Sequence, residues 1–196
     1  LGLLLRTSYT AILCVGVLLV AGHNLFDYFG GAGSSVAMRI LFTSTGGFIP
    51  YAPDRGILVA YAILPWTGIM LLGYCFGVLF KPDTDIKYRS KKLLQWGLGV
   101  LALFVVLRLI NHYGDPAPWS VQERPFYSLL SFVNVTKYPV SLQYTCLTVG
   151  TAILLLRALE RSGTAISRFL MVYGKVPFFY YVLHFFLVHL LCVVFF

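Results

Sequence analysis

The chain has 196 residues, of which 59% are hydrophobic and only 11% are charged, and its formal net charge is +8. Soluble domains carry about 25% charged residues, so this composition excludes a soluble globular domain and indicates an integral membrane protein. The basic residues are spread over short loops between apolar stretches and form no single patch, which disfavours nucleic acid as a partner. The apolar stretches indicate that membrane lipid surrounds the chain.

Five apolar stretches are long enough to cross a membrane as helices, since a span needs ~20 apolar residues. They cover residues 3–22, 56–80, 93–113, 138–156 and 176–196. The pattern predicts an all-α polytopic protein with about five transmembrane helices in a single domain, residues 1–196. Pro65, near the middle of the second stretch, predicts a kink there, and Gly68 and Gly73 predict close packing by a neighbouring helix.

The apolar stretches at the two ends of the chain run up to its termini, and the first residue is Leu1 rather than methionine. No basic segment or small-residue cleavage site of a signal peptide accompanies the first stretch. We therefore expect the chain to be a fragment of a longer polypeptide.

The loop charges alternate along the chain and predict its orientation. Residues 81–92 carry five basic and two acidic side chains, and residues 157–175 carry four basic and one acidic. The loops 23–55 and 114–137 are balanced. By the positive-inside rule, residues 81–92 and 157–175 face the cytoplasm and the two balanced loops face outward.

Both outward loops are expected to carry structure rather than to extend freely. The first loop is long and contains an amphipathic stretch at residues 36–42, which predicts a short interfacial helix. In the second loop, residues 129–137 are expected to return to the membrane surface.

Polar residues gather at the predicted outward ends of three spans: after the first, at the end of the third and before the fourth. At the end of the third span, Arg108, Asn111 and His112 are spaced to share one helical face, and Asp115 follows. We expect such groups to line one outward cleft that suits a hydroxylated ligand such as a sugar, with Arg108 paired to Asp27 or Asp115 rather than snorkelling. The alternative is that each group only caps a helix within the headgroups. The candidate ligand-binding residues are Asp27, Arg108, Asn111, His112, Asp115, Asn134 and Lys137.

Two histidines, His184 and His189, lie inside the fifth span on different helical faces. A tetrapyrrole is not expected, because His23 and His112 lie at the outer ends of their helices and offer no facing partner. His184 is interpreted as a buried, hydrogen-bonded histidine or as part of a central polar path. The four cysteines have no metal-ligand spacing, so no metal is expected.

Five stretches, in the same order, resemble bacterial membrane proteins related to heparan-α-glucosaminide N-acetyltransferase, a transmembrane acyltransferase family. They are GHNLFD (22–27), LPWTGIMLLGYCFG (64–77), LRLINHYGDPAPW (107–119), FVNVTKYPVSLQYTCLTVG (132–150) and YGKVPFFYYVLHFFLVHLL (173–191). The likeness covers nearly all of the chain. It implies the C-terminal half of a transmembrane acyltransferase-like bundle in the bacterial inner (cytoplasmic) membrane.

The resemblance also implies an activity. Members of this family are expected to take an acetyl group from cytosolic acetyl-CoA and pass it to a sugar amine or hydroxyl of a glycan on the outer side. The family's catalytic histidine is expected upstream of Leu1, so no residue of this chain is assigned as catalytic. The alternative function is a non-catalytic accessory or structural subunit of a larger membrane complex, respiratory or photosynthetic, with other membrane subunits as its partners.

Overall fold

The computed structural model describes residues 8–29, 35–42, 48–52, 54–59, 61–161 and 165–195. Across these ranges the chain is mainly helical with one short hairpin, which confirms the predicted all-α polytopic membrane class. The chain divides into two compact units, Leu1–Leu154 and Leu155–Phe196.

The helices and strands follow one another as the hydropathy pattern suggests, with additional short elements in the loops. The helices are α1 (Tyr9–Gly22), α2 (Phe26–Phe29), α3 (Val36–Phe42), α4 (Ile63–Phe76), α5 (Ile86–Ile110), α6 (Pro125–Val133), α7 (Leu142–Arg161), α8 (Ala165–Lys175) and α9 (Pro177–Phe195). Short 3₁₀ turns, His23–Leu25 and Gly77–Phe80, extend α1 and α4. Strands β1 (Phe48–Ala52) and β2 (Arg55–Leu58) pair antiparallel.

Within the described residues, four helical segments are long and apolar enough to cross a membrane. They are Ile63–Phe80, Ile86–Ile110, Leu142–Glu160 and Pro177–Phe195, and they correspond to the second to fifth predicted spans. The counterpart of the first predicted span is a shorter apolar helix, Tyr9–Leu25. Residues 3–7 of that predicted span lie outside the described residues.

The second span begins later than predicted. Hydropathy placed its start at residue 56, but Arg55–Leu58 pairs with Phe48–Ala52 as a β-hairpin, and the helix begins at Ile63. Pro65 is therefore the third residue of α4, where the backbone N–H has no intrahelical acceptor in any case. The predicted mid-helix kink is wrong because this proline occupies a position that tolerates it.

The two loops predicted to face outward contain the predicted local structure, together with the hairpin, which was not predicted. Residues 36–42 form α3, which confirms the helix expected there. The second loop contains α6, Pro125–Val133, which overlaps the stretch expected to return to the membrane surface.

Three buried apolar clusters hold the first unit together. Val20, Phe104, Leu142 and Cys146 join α1, α5 and α7; Ile12, Leu71 and Cys75 join α1 and α4; Leu79, Leu93 and Ile153 join the end of α4 to α5 and α7. The first cluster shows that the ends of α1 and α5 meet the beginning of α7. The polar groups at these helix ends are therefore neighbours.

The second unit contains α8 and α9, which are separated by Val176 alone. The Tyr173 ring lies 4.3 Å from the Tyr180 ring across this junction. His184 lies on α9, with its ring 4.2 Å from that of Phe185. Within its own unit the His184 side chain is exposed, so this unit does not bury it as one interpretation expected. Its place along a central path stays a prediction.

Helices α1 and α4 approach each other closely at Gly68. A Cβ atom at this position would lie 2.8 Å from the Cβ of Leu19 and 3.2 Å from the carbonyl oxygen of Gly16. In a membrane, where lipid is as apolar as leucine, such close backbone approach is a main source of helix association. The close packing predicted for Gly68 is confirmed. At Gly73 no described atom lies within 4 Å of a Cβ position, so the same prediction is wrong there.

Replacing Gly68 by alanine should weaken this contact, and Gly73 provides a matched control on the same helix. We expect Gly68→Ala to lower the free energy of unfolding by about 1–3 kcal/mol, because the added methyl group overpacks a backbone contact. Gly73→Ala should be neutral or stabilise by up to about 1 kcal/mol, since alanine favours the helix. Thermal unfolding of the detergent-purified variants measures both. Equal melting temperatures for the two variants would contradict the packing described here.

Candidate functional site

Arg108 is the centre of a polar cluster at the end of the first unit that the loop charges predict to face outward, called the Arg108 cluster below. Its side chain is 1% exposed, although it lies in the last turn of a membrane-spanning helix. The guanidinium group carries five N–H donors, and each makes a hydrogen bond of 2.6 to 3.0 Å. The acceptors are the carbonyl oxygens of Ala117, Ser131, Phe132 and Asn134 and the side-chain oxygen of Gln143.

Two of these acceptors belong to the last turn of α6. The carbonyl oxygens of Ser131 and Phe132 lie where a helix leaves its final carbonyl groups without intrahelical donors. A positive charge at a helix C-terminus is also favoured by the helix dipole. Arg108 therefore fixes the end of α6 against α5.

Asp115 does not form the hydrogen-bonded pair with Arg108 that the sequence suggested. Its carboxylate accepts from the Thr136 backbone N–H at 2.8 Å, the Thr136 hydroxyl at 2.9 Å and the Ser141 hydroxyl at 2.7 Å. It also accepts from the backbone N–H of Ala117 at 2.9 Å. Asp115 acts on Arg108 as a nearby charge and not through a hydrogen bond, because backbone carbonyls and Gln143 take the guanidinium donors while the carboxylate organises the loop.

The side chain of Asp27, the other predicted partner of Arg108, lies outside the described residues. All five guanidinium donors already have acceptors elsewhere. Snorkelling, the alternative to pairing, does not occur, since the Arg108 side chain is buried.

Asn111 closes the loop that follows α5. The helix ends at Ile110, and Asn111 takes a left-handed conformation with φ of 54°, which asparagine tolerates better than most residues. Its side chain makes two 2.9 Å hydrogen bonds with the backbone N–H and carbonyl of Trp119. The Trp119 indole N–H in turn donates to the Arg108 carbonyl at 2.7 Å. The expectation that Arg108, Asn111 and His112 share a helical face is wrong, because the helix ends before the last two.

Gln143, in the first turn of α7, is a central residue of the cluster that the sequence analysis missed. Besides accepting from Arg108, its amide donates to the Tyr113 carbonyl at 2.8 Å. Its backbone N–H donates to the carbonyl of Gly114 at 2.9 Å, and Gly114 itself has a φ of +90°, which favours glycine. The signal was a lone glutamine one turn inside an apolar span.

The end of α1 joins the cluster through two buried side chains. The ring nitrogens of His23 lie 2.9 Å from the carbonyl oxygens of Val20 and Val140. The Asn24 side-chain oxygen accepts from the backbone N–H of Leu142 at 3.0 Å. These bonds tie the end of α1 to the segment that leads into α7, next to Gln143 of the Arg108 cluster.

Three of the predicted ligand-binding residues are exposed beside this buried network: His112, Asn134 and Lys137. His112 is held by its backbone, because the Tyr28 hydroxyl donates to its carbonyl oxygen. Asn134 lines a shallow surface depression together with Leu130, Ser131 and Val133. Arg108, Asn111 and Asp115 use their polar atoms within the network. Among the described residues, the predicted open cleft is thus a packed cluster with an exposed rim.

An aromatic group adjoins Lys137 on this rim. The Lys137 ammonium lies 4.8 Å from the centre of the Tyr138 ring, and the Tyr138 hydroxyl is 3.3 Å from that of Tyr61. The hydrogen bond with Tyr138 raises the pKa of Lys137, so this side chain stays charged at neutral pH. The Trp66 ring lies 5.6 Å from Tyr61, and its buried indole N–H has no described acceptor. The sequence analysis missed Tyr61, Trp66 and Tyr138. They could have been found as aromatic residues near the starts of the second and fourth spans.

Comparisons of the chain with protein-family models, curated proteins and solved structures gave no match. The resemblance to the acyltransferase family therefore stays a proposal.

Arg108→Ala should destabilise the protein strongly. Removing the buried guanidinium group takes a donor from four partly buried carbonyls and from the buried side-chain oxygen of Gln143, which we expect to cost about 3–5 kcal/mol of unfolding free energy. Arg108→Lys keeps the charge but offers three donors instead of five, so its loss should be intermediate. Thermal unfolding in detergent measures the series. Arg124→Ala, which removes an exposed arginine of the same loop, is the control, and equal melting of the two alanine variants would disprove the role assigned to Arg108.

Asp115→Asn tests the loop without changing its shape. The substitution replaces one acceptor oxygen by an NH₂ donor, which then faces the N–H or hydroxyl groups of Thr136 and Ser141. We expect a loss of about 1–3 kcal/mol and faster hydrogen–deuterium exchange at the Thr136 amide. Glu123→Gln neutralises an exposed carboxylate of the same loop and should change neither quantity. An Asp115→Asn variant with unchanged exchange at Thr136 would rule out this arrangement.

Proposed function

We propose that the chain forms the acceptor side of a membrane acyltransferase in a bacterial inner membrane. The enzyme transfers acetyl from cytosolic acetyl-CoA to an amine or hydroxyl of a glycan on the outer side. The observation that carries this proposal is the meeting of three family-like stretches, residues 22–27, 107–119 and 132–150, in the Arg108 cluster. Stretches far apart in sequence that share one hydrogen-bonded network act as a unit, which supports a common role.

The exposed rim suits a sugar acceptor. His112, Asn134 and Lys137 offer hydrogen-bond donors and acceptors for hydroxyl or amino groups. The side chains that shift the pKa of Lys137 are all tyrosines, and no carboxylate is among them. The Tyr61 and Tyr138 rings provide apolar faces of the kind that line small-molecule sites. In this proposal Arg108, Asn111 and Asp115 position the rim and do not touch the acceptor.

The opposite end of the first unit suits the phosphates of the acetyl donor. The side chains of Lys81, Lys87 and Lys91 are exposed there, in the loop before α5 and in its first turns. The N-terminus of α5 itself is occupied by Asp85, whose carboxylate accepts from the Tyr88 N–H at 2.9 Å. Lysine ammonium groups, rather than the helix end, would hold the donor.

Acetyl transfer breaks the thioester C–S bond, forms a C–N or C–O bond, and requires a base for the acceptor proton. The proposal assigns no base within residues 1–196. His112 is treated as a binding residue, in keeping with its place on the rim.

The activity is tested with the complete polypeptide in sealed vesicles. Acetyl-CoA with a labelled acetyl group is supplied on the side of residues 81–92, and glucosamine-type acceptors are supplied on the other side. We expect label to appear in the acceptor. We expect Lys137→Ala to raise the acceptor KM about tenfold, as loss of one charged hydrogen bond would, while Arg124→Ala leaves it unchanged. Absence of both acetyl transfer and acetyl-CoA binding would refute the proposal.

A second candidate function is an accessory subunit of a larger membrane complex, respiratory or photosynthetic. It is favoured by one observation, that backbone carbonyls and the Gln143 side chain use all the donors of the Arg108 guanidinium group, which is the role of a structural rather than a substrate-binding residue. Purification in a mild detergent followed by mass spectrometry separates the two candidates. A stoichiometric complex without acetyl transfer supports the subunit, whereas an active enzyme without such partners excludes it.

A further inference from the structure

Helix α6 carries an exposed apolar face. Phe126, Leu129, Leu130 and Val133 follow one another at the spacing of a single helical face, and each is between 40% and 64% exposed. A helix that lies on a soluble protein turns such a face toward the core. Here the face points away from the rest of the first unit.

The opposite face of α6 is partly polar and packs inward. The Ser128 hydroxyl accepts from the Gln122 N–H at 2.8 Å, and the Ser131 hydroxyl accepts from the Ser120 N–H at 3.1 Å. On the same side, the Phe132 ring lies 5.8 Å from Phe104 of α5. The amphipathic pattern of α6 is thus reversed, which suits an apolar environment on its outer side.

The hydrogen bonds of Arg108 set the level of α6 along the membrane normal. They join the last turn of α5 to the last turn of α6, with donor–acceptor distances of 2.8 and 2.9 Å to Phe132 and Ser131. The neighbours of Arg108 in α5, Leu109 and Ile110, are exposed apolar residues of a membrane-spanning helix. The end of α6 therefore lies level with the last turn of α5, whose exposed side chains are apolar.

We propose that α6 is an interfacial helix whose Phe126–Leu129–Leu130–Val133 face contacts the acyl chains of the outer leaflet. Lipid is the occupant that the structure favours, because the face lies at the level of α5's own lipid-exposed residues. Amphipathic helices bind membranes in this way, with the apolar face buried at the boundary between headgroups and acyl chains. This inference is independent of acetyl transfer.

The test is a site-directed spin-label measurement on the full chain in liposomes. The native cysteines are replaced, and a nitroxide is attached through Leu129→Cys or through Val133→Cys. Glu123→Cys, in the polar segment just before α6, is the matched control. Oxygen concentrates in the bilayer, whereas a nickel chelate stays in water. We expect the two α6 labels to collide more with oxygen than with nickel, and the Glu123 label to show the reverse.

Two results would overturn the proposal. Greater collision with nickel at both α6 labels places the face in water. Low collision with both reagents places it against protein, either a second copy of this chain or another subunit.

A second measurement needs no spin label and so does not depend on whether a label disturbs the fold. Trp119 lies 5.4 Å from Phe132 of α6, so in a Trp66→Phe, Trp96→Phe background its fluorescence reports the helix position. Lipids brominated near the headgroups should quench Trp119 more than lipids brominated at the chain ends. Quenching no greater than with bromine-free lipid would also overturn the inference.

Discussion

The polar end of the first unit depends on one charge, that of Arg108, whose five hydrogen bonds all go to neutral oxygens. Arg108 is buried near the membrane boundary, where an unsatisfied cation is costly. Four backbone carbonyls and one amide oxygen complete its hydrogen bonds. Since the carbonyl groups come from the loop after α5 and from the end of α6, the arginine determines the position of both segments. The exposed rim of His112, Asn134 and Lys137 is built on that arrangement.

The membrane-spanning helices of the first unit are held together mainly by close side-chain and backbone packing. Apolar residues cover the lipid-facing surface as well as the interior, so burial of apolar area contributes little to association within the bilayer. The close approach of α1 and α4 at Gly68 and the three buried apolar clusters stabilise the helix contacts instead. A rigid packed bundle with a polar, bonded end is a suitable support for a binding surface, whether its occupant is a glycan acceptor or a partner subunit.

Hydropathy was sufficient to predict the class and four of the five expected spans, because these depend on composition over about 20 residues. Local hydrogen bonding determined what they missed. The late start of α4 depends on a hairpin whose two strands carry no hydropathy signal distinct from the span. The end of α5 depends on the left-handed Asn111. The partners of Arg108 are mostly backbone carbonyls, which have no side-chain signature, so a search for a carboxylate selected Asp115 as a hydrogen-bond partner incorrectly.

The first turn of α7 has a consequence for biosynthesis. Its leading N–H groups are satisfied by the side chain of Asn24, the carbonyl of Gly114 and the Ser141 hydroxyl, which bond Leu142, Gln143 and Tyr144 in turn. In a bilayer no water replaces such partners. All three acceptors precede α7 in the chain, so a ribosome delivers them before α7 emerges. Synthesis from the N-terminus therefore provides the hydrogen-bond acceptors for the first turn of α7 before this helix is made. A circular permutant that begins at α7 would have to insert the helix with these N–H groups unpaired.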